Sequence, residues 1–328
     1  MKITSCLPVI LTLLFVACAE DNADGRCTDP ELAPPHDRAN RTMILRDEGK
    51  GLLHLVNLAS PAANWSVEIP DGRDLQLVGD NRVMIGTENG YEEHDITTGA
   101  KVSEITNHPG TIAARRLRNG NTMLTFTGLP DLPGINLVEI DAVGTVVGTI
   151  NYPDKNYVRL LRETPSGTFL ITCNDVIVEL DETGAVLWQG TIAGHTGPHA
   201  WQAVRLGSGE TAVSSGYAAN MQIFPPETEG APAIIQAPLN SNTSPSFYSG
   251  FQVMNDGNFV VANWQGHGAN NGEKGIQVVE LNRAGEMVWS WKQNPELMSS
   301  IQGLLVLDGL DLSKLHVEGC TGALVPVE

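Results

Sequence analysis

The sequence predicts an all-β fold, a six-bladed β-propeller of four-stranded antiparallel blades, and three observations carry that prediction. Turn glycines at 120, 167, 209 and 257 recur at spacings of 47, 42 and 48 residues, the length of one four-stranded blade rather than of a helical repeat. Two hairpin patterns alternate along the same stretch. Finally, 34 Gly and 19 Pro are spread through 328 residues that are 41% hydrophobic, which suits a turn-rich fold with one large core. With 38 acidic against 20 basic residues and a net charge of −18, the chain repels a phosphate backbone, so nucleic acid is excluded as a partner.

Taken in order, the chain opens with Lys2 and the apolar run from Leu7 to Ala17. Those eleven residues are too short to span a bilayer as a helix, which takes about 20, so residues 1–17 read as a signal peptide. The ending Phe15-Val16-Ala17-Cys18 resembles the lipobox of bacterial lipoproteins, in which the cysteine is lipidated and becomes the new N-terminus. Ordinary cleavage after Ala17 or Ala19 is the alternative. Ala19 stands where an inner-membrane retention signal would place Asp, and the resemblance therefore implies the outer membrane or cell surface, with a periplasmic or secreted protein as the alternative. Residues 18–40 are polar, contain Pro30, Pro34 and Pro35 and show no apolar period; they read as a tether.

The body, residues 41–320, is one repeat domain, with 321–328 as a C-terminal tail. Its first pattern is strand, polar turn with Gly, strand, as in Leu117-Arg118-Asn119-Gly120-Asn121-Thr122-Met123 and Met254-Asn255-Asp256-Gly257-Asn258-Phe259. The second is a hairpin with an alternating face, as in Val178-Glu179-Leu180-Asp181 continuing to Gly184 and Trp188. Innermost strands are expected near Leu75, Ile112, Tyr157, Ala200, Gly250 and Ile301, which gives six blades, with seven or eight as alternative counts. Little chain follows the strand at Ile301, while residues 42–69 supply only about three strands. The two ends therefore share one blade, which closes the ring and leaves no open sheet edge.

The runs Asp181 to Trp188 and Asn282 to Trp289 resemble the tryptophan-docking motif of the quinoprotein-like (PQQ-like) propeller repeat family. The resemblance implies the fold and a packing role for Trp188 and Trp289 between blades. Quinoprotein dehydrogenases of that family carry an adjacent cysteine pair, which this chain lacks, so no bound PQQ is expected. Of the five cysteines, Cys6 leaves with the signal and Cys18 takes the lipid; Cys27 lies just before the fold and Cys320 just after it, where a disulfide would staple the ends, free thiols being the alternative. Cys173 sits among apolar residues and reads as core.

Topology also places the candidate chemistry. Interblade links and the loops between second and third strands share one wide face, which collects His195, His199, Trp264, His267, Tyr217 and Tyr248. His195, His199 and His267 are the candidates for catalysis or for a metal site, since neutral imidazoles favour zinc or copper; no other cofactor is expected. Trp264, His267, His199, Tyr217, Tyr248 and Arg116 are candidates for ligand binding. Arg115, Arg116 and Arg159 lie on or near inner strands, where strand alternation lets only one of Arg115 and Arg116 face the axis. The chain has no Gly-x-Ser-x-Gly elbow, Walker loop, Gly-x-Gly-x-x-Gly or His-Glu-x-x-His. Two functions follow: a monomeric, lipid-anchored binding or scaffold module for a peptide, polysaccharide or envelope protein, or an enzyme with a histidine site at the funnel mouth, for sulfuryl transfer, hydrolysis or metal-assisted chemistry.

Overall fold

The computed structural model describes residues 37–194, 199–228, 230–236 and 243–328. Among them, six four-stranded antiparallel sheets form a ring, and helix is limited to two short 3-10 turns, Arg38–Asn40 and Pro61–Ala63. The first five blades span residues 75–105, 113–152, 161–191, 202–235 and 247–291. Their innermost strands are Leu75–Gly79, Ala113–Arg116, Leu161–Glu163, Gln202–Arg205 and Phe247–Val253. In the sixth blade the innermost strand, Ile301–Val306, comes from the C-terminal side and pairs antiparallel with Thr42–Asp47, followed outward by Leu52–Asn57 and Trp65–Glu68. Both ends of the domain thus build one blade, and each innermost strand touches the next all the way round. A propeller of this type has no unpaired long edge to aggregate.

Local chemistry explains the turns. Gly120, Gly167, Gly209 and Gly257 all sit near φ +80°, between +79° and +87°, which side chains with a Cβ adopt only with strain. On the outer hairpins, Asp141, Asp181 and Asn282 each accept backbone N–H bonds two and four residues on, a repeated side-chain-closed turn. Trp188 lies against Phe224 of the following blade and Trp289 under the guanidinium of Arg41 in the next, so both indoles bridge neighbouring blades.

The apolar core is divided. Six clusters fill the spaces between adjacent blades, and a seventh, Ala113, Leu160, Trp201, Phe247 and Trp264, lies around the axis. Inner strands are also stitched by glutamines. Gln76 pairs with both N–H and C=O of Arg116, Gln202 with those of Phe251, and Gln252 with those of Val306. Each amide thereby satisfies a backbone pair of the next blade's inner strand that has no partner strand on that side.

Beyond the last blade strand the chain turns under the ring. His316–Glu318 pairs with Leu324–Pro326, so the hairpin extends past residue 320 into the segment read from sequence as a tail. Leu315 bridges Val78 and Ala323 bridges Val253, which fixes this hairpin to two blades. Cys320 in its turn is disulfide-bonded; Cys27, the expected partner, and the signal and lipidation residues including Cys18 lie outside the described residues. Among the described residues no helix is long and apolar enough to cross a membrane.

Candidate functional site

A cavity of about 330 Å³ opens on the wide face. Its wall residues come from two positions in each repeat: the chain just before an innermost strand, as in Arg73, Arg159 and His199, and the loop between second and third strands, as in Glu48, Glu88, Tyr217 and His267. The floor is the axial cluster, with Trp201, Phe247 and Trp264 exposing edges to the cavity. Below it, the channel is filled by charge. Arg162 donates to both oxygens of Asp74 at 2.5 and 2.8 Å, and Arg115 donates to both oxygens of Glu318 at 2.7 and 2.8 Å. The cavity is therefore a blind funnel rather than a pore.

One side of the funnel is aromatic. Phe247 meets Tyr217, Trp264 and Trp201 edge-on at centroid distances of 4.7, 5.3 and 5.5 Å, and Trp264 meets His267 at 4.7 Å. Glu48 locks that end. One carboxylate oxygen accepts from Trp264 Nε1 at 3.0 Å and the other lies 2.7 Å from His267 Nδ1, although the His267 side chain is 78% exposed. Tyr217, 41% exposed, stands at the mouth.

The other side is cationic. Arg46 is only 3% exposed; its Nη1 donates to Gln302 Oε1, while its Nε is buried without a hydrogen-bond partner. Burial lowers its pKa to about 10 even though Glu48 and Asp71 oppose the shift. Arg159 is also brought down to about 10, by burial and then by the charge of Arg73. Both remain protonated at neutral pH. Arg73 lies over the Trp201 ring at 5.4 Å and has neither a side-chain hydrogen bond nor an ion pair among the described residues.

Arg159 Nη2 sits 3.0 Å from Nδ1 of His199, which is also 2.8 Å from Oδ1 of Asn174. A guanidinium only donates, so Nδ1 accepts and the proton of the neutral ring resides on Nε2, with the Asn174 amide read as turned to present its nitrogen. Burial, then Arg159 and Arg73, hold the His199 pKa below the ordinary histidine value. His199 is thus a neutral acceptor in a cationic setting.

Of the residues singled out from sequence, His199, His267, Trp264 and Tyr217 come together around this cavity, and Arg159 joins them. Arg116 does not: it donates to Glu93 at 2.7 Å and lies over Tyr91, in a separate depression of the first two blades. Nor does Tyr248, which is 1% exposed in the core between the fourth and fifth blades, where burial raises its phenol pKa. His195 lies outside the described residues. Among the described residues no group of three His, Cys, Asp or Glu is placed to hold a metal ion. Sequence reasoning passed over Arg46, Arg73, Glu48, Trp201 and Phe247. Arg73 carried a usable signal, since it precedes its inner strand by two residues, as Arg159 does.

No protein-family model matches the chain, and no curated protein matches it by sequence. Solved structures do. A protein of unknown function from Bacteroides caccae superposes with a TM-score of 0.63 at 17% identity, covering 81% of this chain and 98% of that one. A chain of a nidogen–laminin complex gives 0.56 at 12% identity over 81% and 98%. A streptogramin B lyase gives 0.51 at 14% identity over 80% and 85%. At these identities the likeness is one of fold alone: the chain is a β-propeller.

Proposed function

We propose that the chain is an exported, lipid-anchored member of the quinoprotein-like propeller repeats that binds its partner through the wide face, taking a group of a peptide, glycan or envelope protein into the funnel. One observation carries this reading: the aromatic concavity on the wide face is closed beneath by a charged plug, so it receives a ligand and passes nothing through. The start of the described chain supports the orientation. Arg38 pairs with Asp256 and Glu280 at the tight-turn face, so a tether leaving there would point the funnel away from its anchor.

Trp201 and Trp264 line the cavity, so capture is followed by tryptophan emission while the full chain is titrated with envelope-derived peptides and glycan fragments. Tyr217→Ala and His267→Ala are expected to weaken capture, and Arg283→Gln, on the opposite face against Glu210, to leave it unchanged. The reverse pattern overturns the wide-face reading. For the anchor, Cys18→Ala is expected to lose lipid labelling and leave the membrane fraction; retention in both would refute it.

A second reading, an enzyme, is favoured by the neutral imidazole of His199 held against Arg159. With Nδ1 taken by Arg159 and Asn174 and the proton on Nε2, the ring presents an N–H donor beside fixed positive charge, suited to stabilising negative charge that develops on an anionic substrate. His199→Gln would then abolish turnover and preserve capture.

A further inference from the structure

The twelve arginines of the described residues divide cleanly. Nine of them make an ion pair within 4.0 Å: Arg38, Arg41, Arg82, Arg115, Arg116, Arg118, Arg162, Arg205 and Arg283. The remaining three, Arg46, Arg73 and Arg159, line one cavity. This occurs in a chain with 38 acidic residues, where counter-ions are plentiful. Glu48, Asp71 and Glu88 also border the funnel, yet none lies within ion-pair distance of the three guanidinium groups, and Glu48 is already held by Trp264 and His267.

A buried cation without a counter-ion is costly, and an orphaned donor adds to the cost. Arg46 meets both descriptions, and Arg159 likewise has a buried Nε without a partner. An anion entering the funnel would relieve both. The rest of the lining adds a second requirement, because Phe247, Trp264 and Tyr217 border the same cavity and favour a flat apolar group. The volume of about 330 Å³ is enough for a ring with one charged substituent, about eleven water volumes at roughly 30 Å³ each.

We infer that the funnel binds a small organic oxyanion carrying a flat ring, its charge on Arg46, Arg73 and Arg159 and its ring against Phe247, Trp264 and Tyr217. This rests on the wide-face reading above and narrows it to a ligand class. A carboxylate and a phosphate share the chemistry, and the experiment separates them.

Isothermal titration of the full chain uses five probes: 2-naphthoate, 2-naphthyl phosphate, the neutral 2-naphthol, and the ringless acetate and inorganic phosphate. At least one ring-bearing anion is expected to bind tenfold or more tighter than 2-naphthol and than its ringless counterpart, with affinity falling as salt rises. Arg73→Gln removes a group with no side-chain hydrogen bond or ion pair among the described residues, and is expected to weaken the anionic probe on the order of tenfold to a hundredfold while leaving 2-naphthol unchanged. Tyr217→Ala is expected to weaken every ring-bearing probe. Equal binding of 2-naphthol and the anions, or indifference to Arg73→Gln, overturns the oxyanion inference and leaves wide-face capture of a neutral ligand standing. Absence of binding by all five also overturns it, while the Tyr217 and Arg283 comparison judges the wide-face reading separately.

Discussion

Replacing Glu318 by Gln is the sharpest test of how the funnel is closed. Glu318 accepts two hydrogen bonds from Arg115 at 2.7 and 2.8 Å, and its carboxylate lies 2.8 Å from Arg162 Nε. With Asp74 the four groups are balanced, two positive and two negative, and all are buried. Glutamine preserves shape and volume, so no cavity term enters; the change leaves two buried guanidinium groups to share Asp74, with Arg115 3.8 Å from it. Breaking a buried pair in this way costs about 3–5 kcal/mol, and because Asp74 still serves Arg162 the lower end, about 3 kcal/mol, applies. For a domain of this size that corresponds to a melting temperature lower by roughly 5 °C. Burial pushes the Glu318 carboxyl upward, but Arg115 and Arg162 outweigh it and hold the group below the ordinary carboxylate range. A depressed pKa contributes stability that is complete above the unfolded value of about 4.3 and is lost as pH falls through the folded value. The gap between wild type and Glu318→Gln, read by circular dichroism melts, should therefore be full at pH 7 and close in acid below about pH 4. A drop under about 2 °C at pH 7, where one of about 5 °C is expected, or a gap that persists unchanged in acid, refutes the reasoning.

Two further outcomes follow from the packing. Gly216 has φ +55°, and a Cβ there would lie 2.2 Å from the carbonyl oxygen of His199, so Gly216→Ala should destabilise by about 1–3 kcal/mol and shift the His199 imidazole resonances, whereas an unperturbed histidine spectrum would contradict the contact. Cys173, 2% exposed between the second and third blades, has its thiol pushed up to about 12 by burial; it should resist alkylation at pH 8 in the folded protein and react on unfolding, and rapid native labelling would count against the assigned core position.

The blade count and the ring closure were legible in the sequence because they rest on local requirements. Positive φ at Gly120, Gly167, Gly209 and Gly257 demands a residue without Cβ, and the shortage of strands before Leu75 demands a strand from the other end. The grouping of His199, His267, Trp264 and Tyr217 was legible because topology alone sends their loops to one face. Side-chain direction was harder. Tyr248 precedes a register shift between Tyr248 and Phe251, and that irregularity breaks the strict alternation by which a strand residue is assigned a face. Alternation did separate Arg115, which faces the axis and Glu318, from Arg116, which turns to Glu93; which of the two faced inward was not readable. Arg46 was hidden differently: it lies in the second strand of its blade, and only the packing of that strand against Gln302 shows that its guanidinium reaches the funnel. The stitching glutamines had a visible trace, a Gln between two apolar residues in Leu75-Gln76-Leu77, Trp201-Gln202-Ala203 and Phe251-Gln252-Val253. Nothing in that pattern named the neighbouring strand as partner.

The two arginine groups on the axis argue against each other as structural accidents. Below the funnel floor the fold supplies Asp74 and Glu318 to Arg162 and Arg115 within 2.8 Å, showing that this ring can pair axial guanidinium groups with carboxylates. At the wide end Arg46, Arg73 and Arg159 make no ion pair among the described residues, although Glu48, Asp71 and Glu88 border the same space. Glu48 accepts from Trp264 Nε1 with one oxygen and faces His267 Nδ1 with the other, so the acid orients the aromatic wall. The unpaired state is therefore stored repulsion, which an anion discharges. Binding then stabilises the native fold by mass action, about 2.7 kcal/mol at a ligand concentration one hundred times Kd, and the stabilisation should shrink when Arg73 is neutralised and survive when the lower quartet is broken. Opening the floor and discharging the wall are separable events on one axis.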